Sequence, residues 1–148
     1  MDKFKYKLDP VLKLRNFEKK KVEIHLGQIN KKILDTENNI NEVVQQINEA
    51  YSVLNNSKDQ KIENSYVLSL PHLLKVKTKE LENLQEELNT NHRLRNEVIQ
   101  KLNEVTGRFK IIEKDKQKKE ISFKKESQKK IEQEIQDLFL ISKGGVIS

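Results

Sequence analysis

Two interleaved series of residues spaced seven apart run through the first third of the chain, and few folds can accept them. One series is Leu12, Lys19, Leu26, Ile33, Ile40, Ile47 and Leu54; the other is Leu8, Arg15, Val22, Ile29, Thr36, Val43 and Ala50. Ten of these fourteen positions are Leu, Ile or Val. Steps of three and four residues in alternation put side chains in one stripe on a helix, and the stripe stays turned to a partner helix when the two supercoil. The pattern returns later as Leu74, Leu81, Leu88, Arg95, Leu102 and Phe109, interleaved with Leu84, Asn91, Val98, Val105 and Ile112. Asn91 and Arg95 are polar on this seam, and polar groups there commonly fix register at some cost in stability.

Composition agrees with a narrow seam and not with a wide core. Hydrophobic residues make up 34% of the chain, charged residues 35% and aromatics 5%, with no Trp. A compact domain of similar size carries about 45–50% apolar residues. The absence of cysteine excludes disulfides, cysteine zinc sites and thiol chemistry, and fits a reducing compartment. No run approaches the roughly 20 apolar residues of a membrane span, and Lys3, Lys5 and Lys7 are not followed by the apolar stretch of a secretory signal. A soluble chain is expected.

The seams and the punctuation between them predict an all-α fold, a long two-helix antiparallel coiled-coil hairpin filling residues 1–148 as one domain. Asp9 reads as an N-cap and Pro10 as a first-turn residue, so helix 1 is expected over about residues 10–55. The polar run from Asn55 to Lys61 breaks the seam, and Pro71 after Ser69 and Leu70 marks the start of helix 2, over about 71–141, leaving 56–70 as the connection. Gly144 and Gly145 are expected to end it, with a tail over 142–148. A short link returns the second helix antiparallel, and helices of this length predict a rod about 70 Å long. Beyond Ile112 the face meets Lys116, Lys119, Glu126 and Lys130, so helix 2 is expected to continue alone. Phe123, Ile131, Ile135 and Leu138 resume in a shifted phase and offer a face for self-association.

The charge is unevenly spread. Residues 1–25 hold eight Lys or Arg against four Asp or Glu, and residues 108–130 hold ten against four, whereas residues 31–100 hold nine against eleven. An antiparallel hairpin stacks both basic segments at its open end. The four glycines, at 27, 107, 144 and 145, form no phosphate loop. His25, His72 and His92 lack metal-ligand spacing, and a helix pair gives no pocket to tune a carboxylate. No enzymatic activity, cofactor or metal is expected. The basic pole permits sequence-blind contacts to phosphates, but it lacks interleaved aromatics and has only four arginines, so nucleic acid is not an expected partner. Phe4 and Tyr6 among lysines make a weak membrane anchor, and no membrane insertion is expected. A protein-interaction module is the class left.

Phe4, Lys5, Tyr6, Lys7 and Leu8 alternate by two, which is extended-chain spacing, before Pro10, Val11, Leu12, Leu14 and Arg15. The two aromatics read as a staple over helix 2 near residues 109–123 or as part of a docking surface, and the two readings are compatible. This segment resembles the start of the FliJ family of flagellar type III export proteins, with an aromatic-basic-aromatic-basic-Leu run and then a Pro-Val/Leu-Leu-x-Leu-Arg stretch leading into a long helix. Length, two-helix organisation and basic balance are similar along essentially the whole chain. Asn16, Phe17, Glu18 and Lys19 to Lys21 depart from the Glu- and Ala-rich sequence that often follows in the family.

The resemblance implies a non-enzymatic stalk of the flagellar export apparatus, cytoplasmic and peripheral at the membrane face of the flagellar base. Such a stalk would bind the hexameric export ATPase, promote its ring assembly or activity, and link it to the export gate membrane protein, with export chaperones as further partners. By analogy with rotary-ATPase stalks, Phe4, Tyr6, Leu8, Leu12, Arg15, Lys116 and Lys119 fall to the ATPase. Tyr51, Tyr66, Leu70, His72 and Leu73, nearer the connection, fall to the gate or serve to close the loop. A general coiled-coil adaptor or chaperone of another secretion system, and a sequence-blind nucleic-acid binder, stay open as alternatives.

Overall fold

A computed structural model describes residues 3–57 and 65–147. Two helices account for nearly all of them: α1, Asp9–Ser57, and α2, Ser65–Ile147. They pack against each other as an antiparallel hairpin, and the described residues include no strand. The chain divides into two compact units, one formed by Met1–Lys20 with Asn103–Ser148 and one by Lys21–Leu102.

In the Lys21–Leu102 unit the heptad reading holds residue by residue. The α1 positions with reduced exposure are Val22, Leu26, Ile29, Ile33, Thr36, Ile40, Val43, Ile47, Ala50 and Leu54, an unbroken alternation of four and three. Ile29, 2% exposed, packs with Ile33 and Val98, and Val22, Leu26 and Leu88 close over them. A second cluster gathers Ala50, Leu70 and Leu74, flanked by Ile47 and Leu54. Thr36, the polar member of the seam, is buried without penalty because its Oγ1 donates to the Lys32 carbonyl at 2.8 Å. Arg95 lies on the seam as expected and donates from Nε to Asn30 Oδ1 at 2.8 Å. One polar pair thereby sets one helix against the other at a single register, which a stripe of interchangeable aliphatics does less well.

The helix boundaries differ from the sequence expectation in three places. At the start of α1 the Leu8 carbonyl accepts the first helical bond, from Leu12 N–H at 2.8 Å, so Leu8 is the cap and Asp9 the first helical residue. The reason is competition for the Asp9 carboxylate: its Oδ1 accepts from Lys116 Nζ at 2.9 Å. The expected connection over 56–70 is shorter, since residues up to 57 belong to α1 and those from 65 to α2; residues 58–64 lie outside the described residues.

Pro71 is therefore inside α2 and not at its start. Proline in a helix interior costs about 3 kcal/mol, but here it lies in the second turn and deprives only the Val67 carbonyl. Ser69 Oγ also donates to the Tyr66 carbonyl at 2.6 Å, serving a neighbouring acceptor. Leu70 is fully buried and Leu74 nearly so, and burying such a side chain contributes about 1.5–3 kcal/mol each. Packing on both sides of the proline offsets its cost and draws the helix back to Ser65. At the other end α2 runs through Gly144 to Ile147, where a tail from 142 was expected. No described glycine takes a positive φ, so the left-handed cap that would stop the helix is not formed.

Candidate protein-interaction surfaces

The seven residues expected at the open end come together in the unit formed by Met1–Lys20 and Asn103–Ser148. Residues 3–8 lie along α2 as a strap. Phe4 meets Phe123, with ring centroids 5.5 Å apart and planes tilted by 44°. Two turns back along α2, Tyr6 is 6% exposed and its hydroxyl makes a short hydrogen bond to Asp115 Oδ2. Lys119 Nζ lies 5.7 Å from the centre of the Tyr6 ring and 3.4 Å from the same Asp115 oxygen. Lys116 reaches Asp9, and Lys19 Nζ sits 5.0 Å over the Phe109 ring. Alternation by two in the sequence thus has a structural meaning: the extended strap turns Phe4 and Tyr6 to α2 while Lys3, Lys5 and Lys7 stay exposed.

This geometry changes the role of several expected contacts. Tyr6 is buried against α2, which is the geometry of a staple. Phe4 and Leu12 are half-buried, Arg15 pairs with Glu18 at 3.2 Å, and Leu8 keeps the largest apolar exposure of the group. The expectation that α2 runs alone past Ile112 is also corrected, because the strap carries the pairing on to Phe123. Lys3, Lys5, Lys7, Lys118 and Lys119 are exposed here, and so are Leu14, Phe17, Ile111 and Ile121.

Asp115 explains why the strap docks where it does. Its carboxyl is held below the ordinary carboxylate range, first by the Tyr6 hydroxyl and then by Lys119 and Lys118, against the opposing effect of burial. The Tyr6 phenol is pushed up to about 12, by burial first and by the bond to Asp115 next. A depressed carboxyl contributes stability above its ordinary pKa and loses it as pH falls through the folded value; a raised phenol contributes below about 10 and loses it as pH rises toward 12. Docking of the strap is therefore expected to be flat from about pH 4 to about pH 10 and to weaken on both sides. In Tyr6→Phe the Asp115 titration, followed by carboxyl carbon NMR, should move up toward the ordinary value. An unmoved midpoint would show that the phenol does not hold Asp115.

The five residues expected nearer the connection belong to the Lys21–Leu102 unit, and they divide. Leu70 is 0% exposed and is a core residue, so it offers no surface to a partner. Tyr51, Tyr66, His72 and Leu73 are exposed. Tyr66 and Leu73 line a shallow groove with Ala50, Val53 and Lys77. No group of three or more potential metal ligands occurs among the described residues, and no described helix is long and apolar enough to cross a membrane. Sequence reasoning missed the acid–phenol pair, whose partners are 109 residues apart, and the cation–π contact of Lys19, a member of the first heptad series.

Comparison with known proteins adds no relative: no family model, curated protein or solved structure matches the chain.

Proposed function

We propose that this chain is a non-enzymatic coiled-coil stalk of a flagellar type III export apparatus, docking by its basic, strapped end on a ring-forming export ATPase. The reading rests on the resemblance of residues 4–15 to the FliJ family. The observation that carries it is the arrangement of that segment: the aromatics of the motif are consumed in fastening the strap to α2, and its lysines are presented together with those of the 108–130 stretch. In this unit the hairpin is two helices across, about 20 Å, so that a lysine-bearing end of small section faces the partner. Charge of one sign on a small end favours steering toward an acidic surface. The exposed Tyr51, Tyr66, His72 and Leu73 are assigned to the export gate in the same proposal.

The test is ATP hydrolysis by the export ATPase with and without this protein, at ratios below one chain per ATPase subunit and with ring assembly followed by light scattering. Stimulation is expected for the parent. Lys5→Glu with Lys7→Glu, which alter exposed groups of the strap and leave the lysines around Asp115 in place, should abolish most of it while helix content by circular dichroism stays unchanged. Reversal at Lys116 and Lys119 should also lower stimulation, but those lysines hold Asp9 and Asp115 and would disturb the strap as well. Absence of binding by the parent would sink the stalk reading.

A further inference from the structure

The strap over residues 3–8 is extended, and an extended segment has two edges as well as two faces. Its faces are accounted for: Phe4 and Tyr6 turn to α2, and Lys3, Lys5 and Lys7 turn away from it. Along a strand the N–H and C=O groups of successive residues point to opposite edges. The edge of Phe4 and Tyr6 is engaged, because the Tyr6 carbonyl accepts from Asp9 N–H at 3.2 Å where the chain turns into α1. The edge of Lys3 and Lys5 is open: among the described residues, neither lysine makes a backbone hydrogen bond. Such an edge is a template for another extended segment.

The side chains beside that edge select what it pairs with. Lys3 and Lys5 are two residues apart, so their side chains leave one face of the strap about 6.6 Å from each other. A second copy of the strap would set lysine opposite lysine, which is how natural edges resist self-pairing. An acidic segment with a carboxylate at every second position matches the spacing and opposes each lysine with a carboxylate. In the antiparallel sense, Lys3 and Lys5 each exchange both backbone bonds with the residue directly across, whose side chain stands on the same face. Backbone and charge therefore call for the same partner residues. A nucleic-acid strand satisfies the ammonium groups but carries no alternation of N–H and C=O to complete the edge.

We infer that the strap is a strand-addition site, at which an extended acidic segment of a partner protein pairs antiparallel with Lys3 and Lys5 through backbone hydrogen bonds and cross-strand ion pairs. Because α2 already holds the strap extended, the edge exists before the partner arrives, and less chain entropy is lost on binding. The inference stands whichever protein the partner is, and the export ATPase does not enter its test.

The test uses the full chain and a fluorescent octapeptide of alternating glutamate and threonine, at low ionic strength where exposed charges are least screened. Anisotropy should show binding, and at saturation the Lys3 and Lys5 amides should exchange with water about tenfold more slowly by NMR, with those of Phe4 and Tyr6 unchanged. Methylating the glutamate amide nitrogens keeps the charge of the peptide and removes its donors, and should weaken binding about tenfold or more. Lys3→Glu with Lys5→Glu should reject this peptide and accept one of alternating lysine and threonine, while the Phe4 and Phe123 rings stay in contact by nuclear Overhauser effect. Equal affinity for the methylated peptide, or slowed exchange at Phe4 and Tyr6 in place of the lysines, would overturn strand addition at this edge. A chain that ignores the peptide also overturns it, and if that chain binds oligothymidylate instead, these lysines serve phosphates.

Discussion

Ile29→Ala and Leu70→Ala are each expected to lower the stability of the Lys21–Leu102 unit by about 2–3 kcal/mol in urea denaturation, the lower half of the range for emptying a buried aliphatic site. Both side chains are almost or wholly excluded from water, at 2% and 0% exposure. The lower half applies because a two-helix seam is one side chain thick, and the helices can close partly on a cavity that a wide core would have to keep. Leu34→Ala supplies the control: Leu34 follows Ile33 in sequence yet is 57% exposed, and its removal should shift stability by about 0.5 kcal/mol or less. Against a total of about 5–15 kcal/mol for a typical domain, the two core losses are large fractions. Leu70→Ala carries a second, local consequence. Pro71 is tolerated because Leu70 and Leu74 hold the helix on either side of it, so the truncation should also raise amide exchange over residues 65–70 well above that in Ile29→Ala. Equal protection of those amides in the two variants would show that something other than Leu70 carries the helix through the proline.

The contrast between Ile33 and Leu34 shows what was legible in the sequence. Period alone assigned Ile29, Ile33, Val43, Ala50, Leu74, Val98 and Val105 to the seam, and all of them are buried. A heptad stripe is local information, repeated often enough that one polar member such as Thr36 does not obscure it. The fold class followed from the same periodicity. Boundaries did not, because each depends on a contact with a distant residue. Pro71 looked like a start until Ala50 and Leu54, on the other helix, were seen to bury Leu70. Asp9 looked like a cap until Lys116 was seen to take its carboxylate. At Gly144 the sequence offers an opportunity to stop, and a helix declines it whenever the glycine keeps helical dihedrals.

The candidate surface was legible in composition but not in role. Phe4 and Tyr6 stood out against the lysines, and both a staple and a docking surface were compatible with their spacing. Asp115, one of four carboxylates in the lysine-rich stretch 108–130, carries the staple reading, and its meaning appears only when Tyr6 is placed on it. Packing takes up Phe4 and Tyr6 and leaves Lys3, Lys5 and Lys7 of the strap exposed.

Phe4→Ala with Tyr6→Ala should therefore act on the strap before it acts on any partner. The double variant loses the ring contact with Phe123, the bond to Asp115 and the ring under Lys119 together. Residues 3–8 should detach from α2 while α1 and the clusters around Ile29 and Leu70 stay formed. Trypsin reads this directly, because Lys3, Lys5 and Lys7 lie in the strap and cleavage follows the population of the open state when reclosing is fast. Cleavage there should accelerate about tenfold or more, with little change at lysines of the Lys21–Leu102 unit. If ATPase stimulation falls in this variant, the loss comes from a misplaced strap. If it falls equally with Lys5→Glu and Lys7→Glu, where the strap stays docked and resists trypsin at the remaining sites, the cations themselves make the contact. Unchanged cleavage in the double alanine variant would mean that the aromatics do not hold the strap, and the burial of Tyr6 would need another cause.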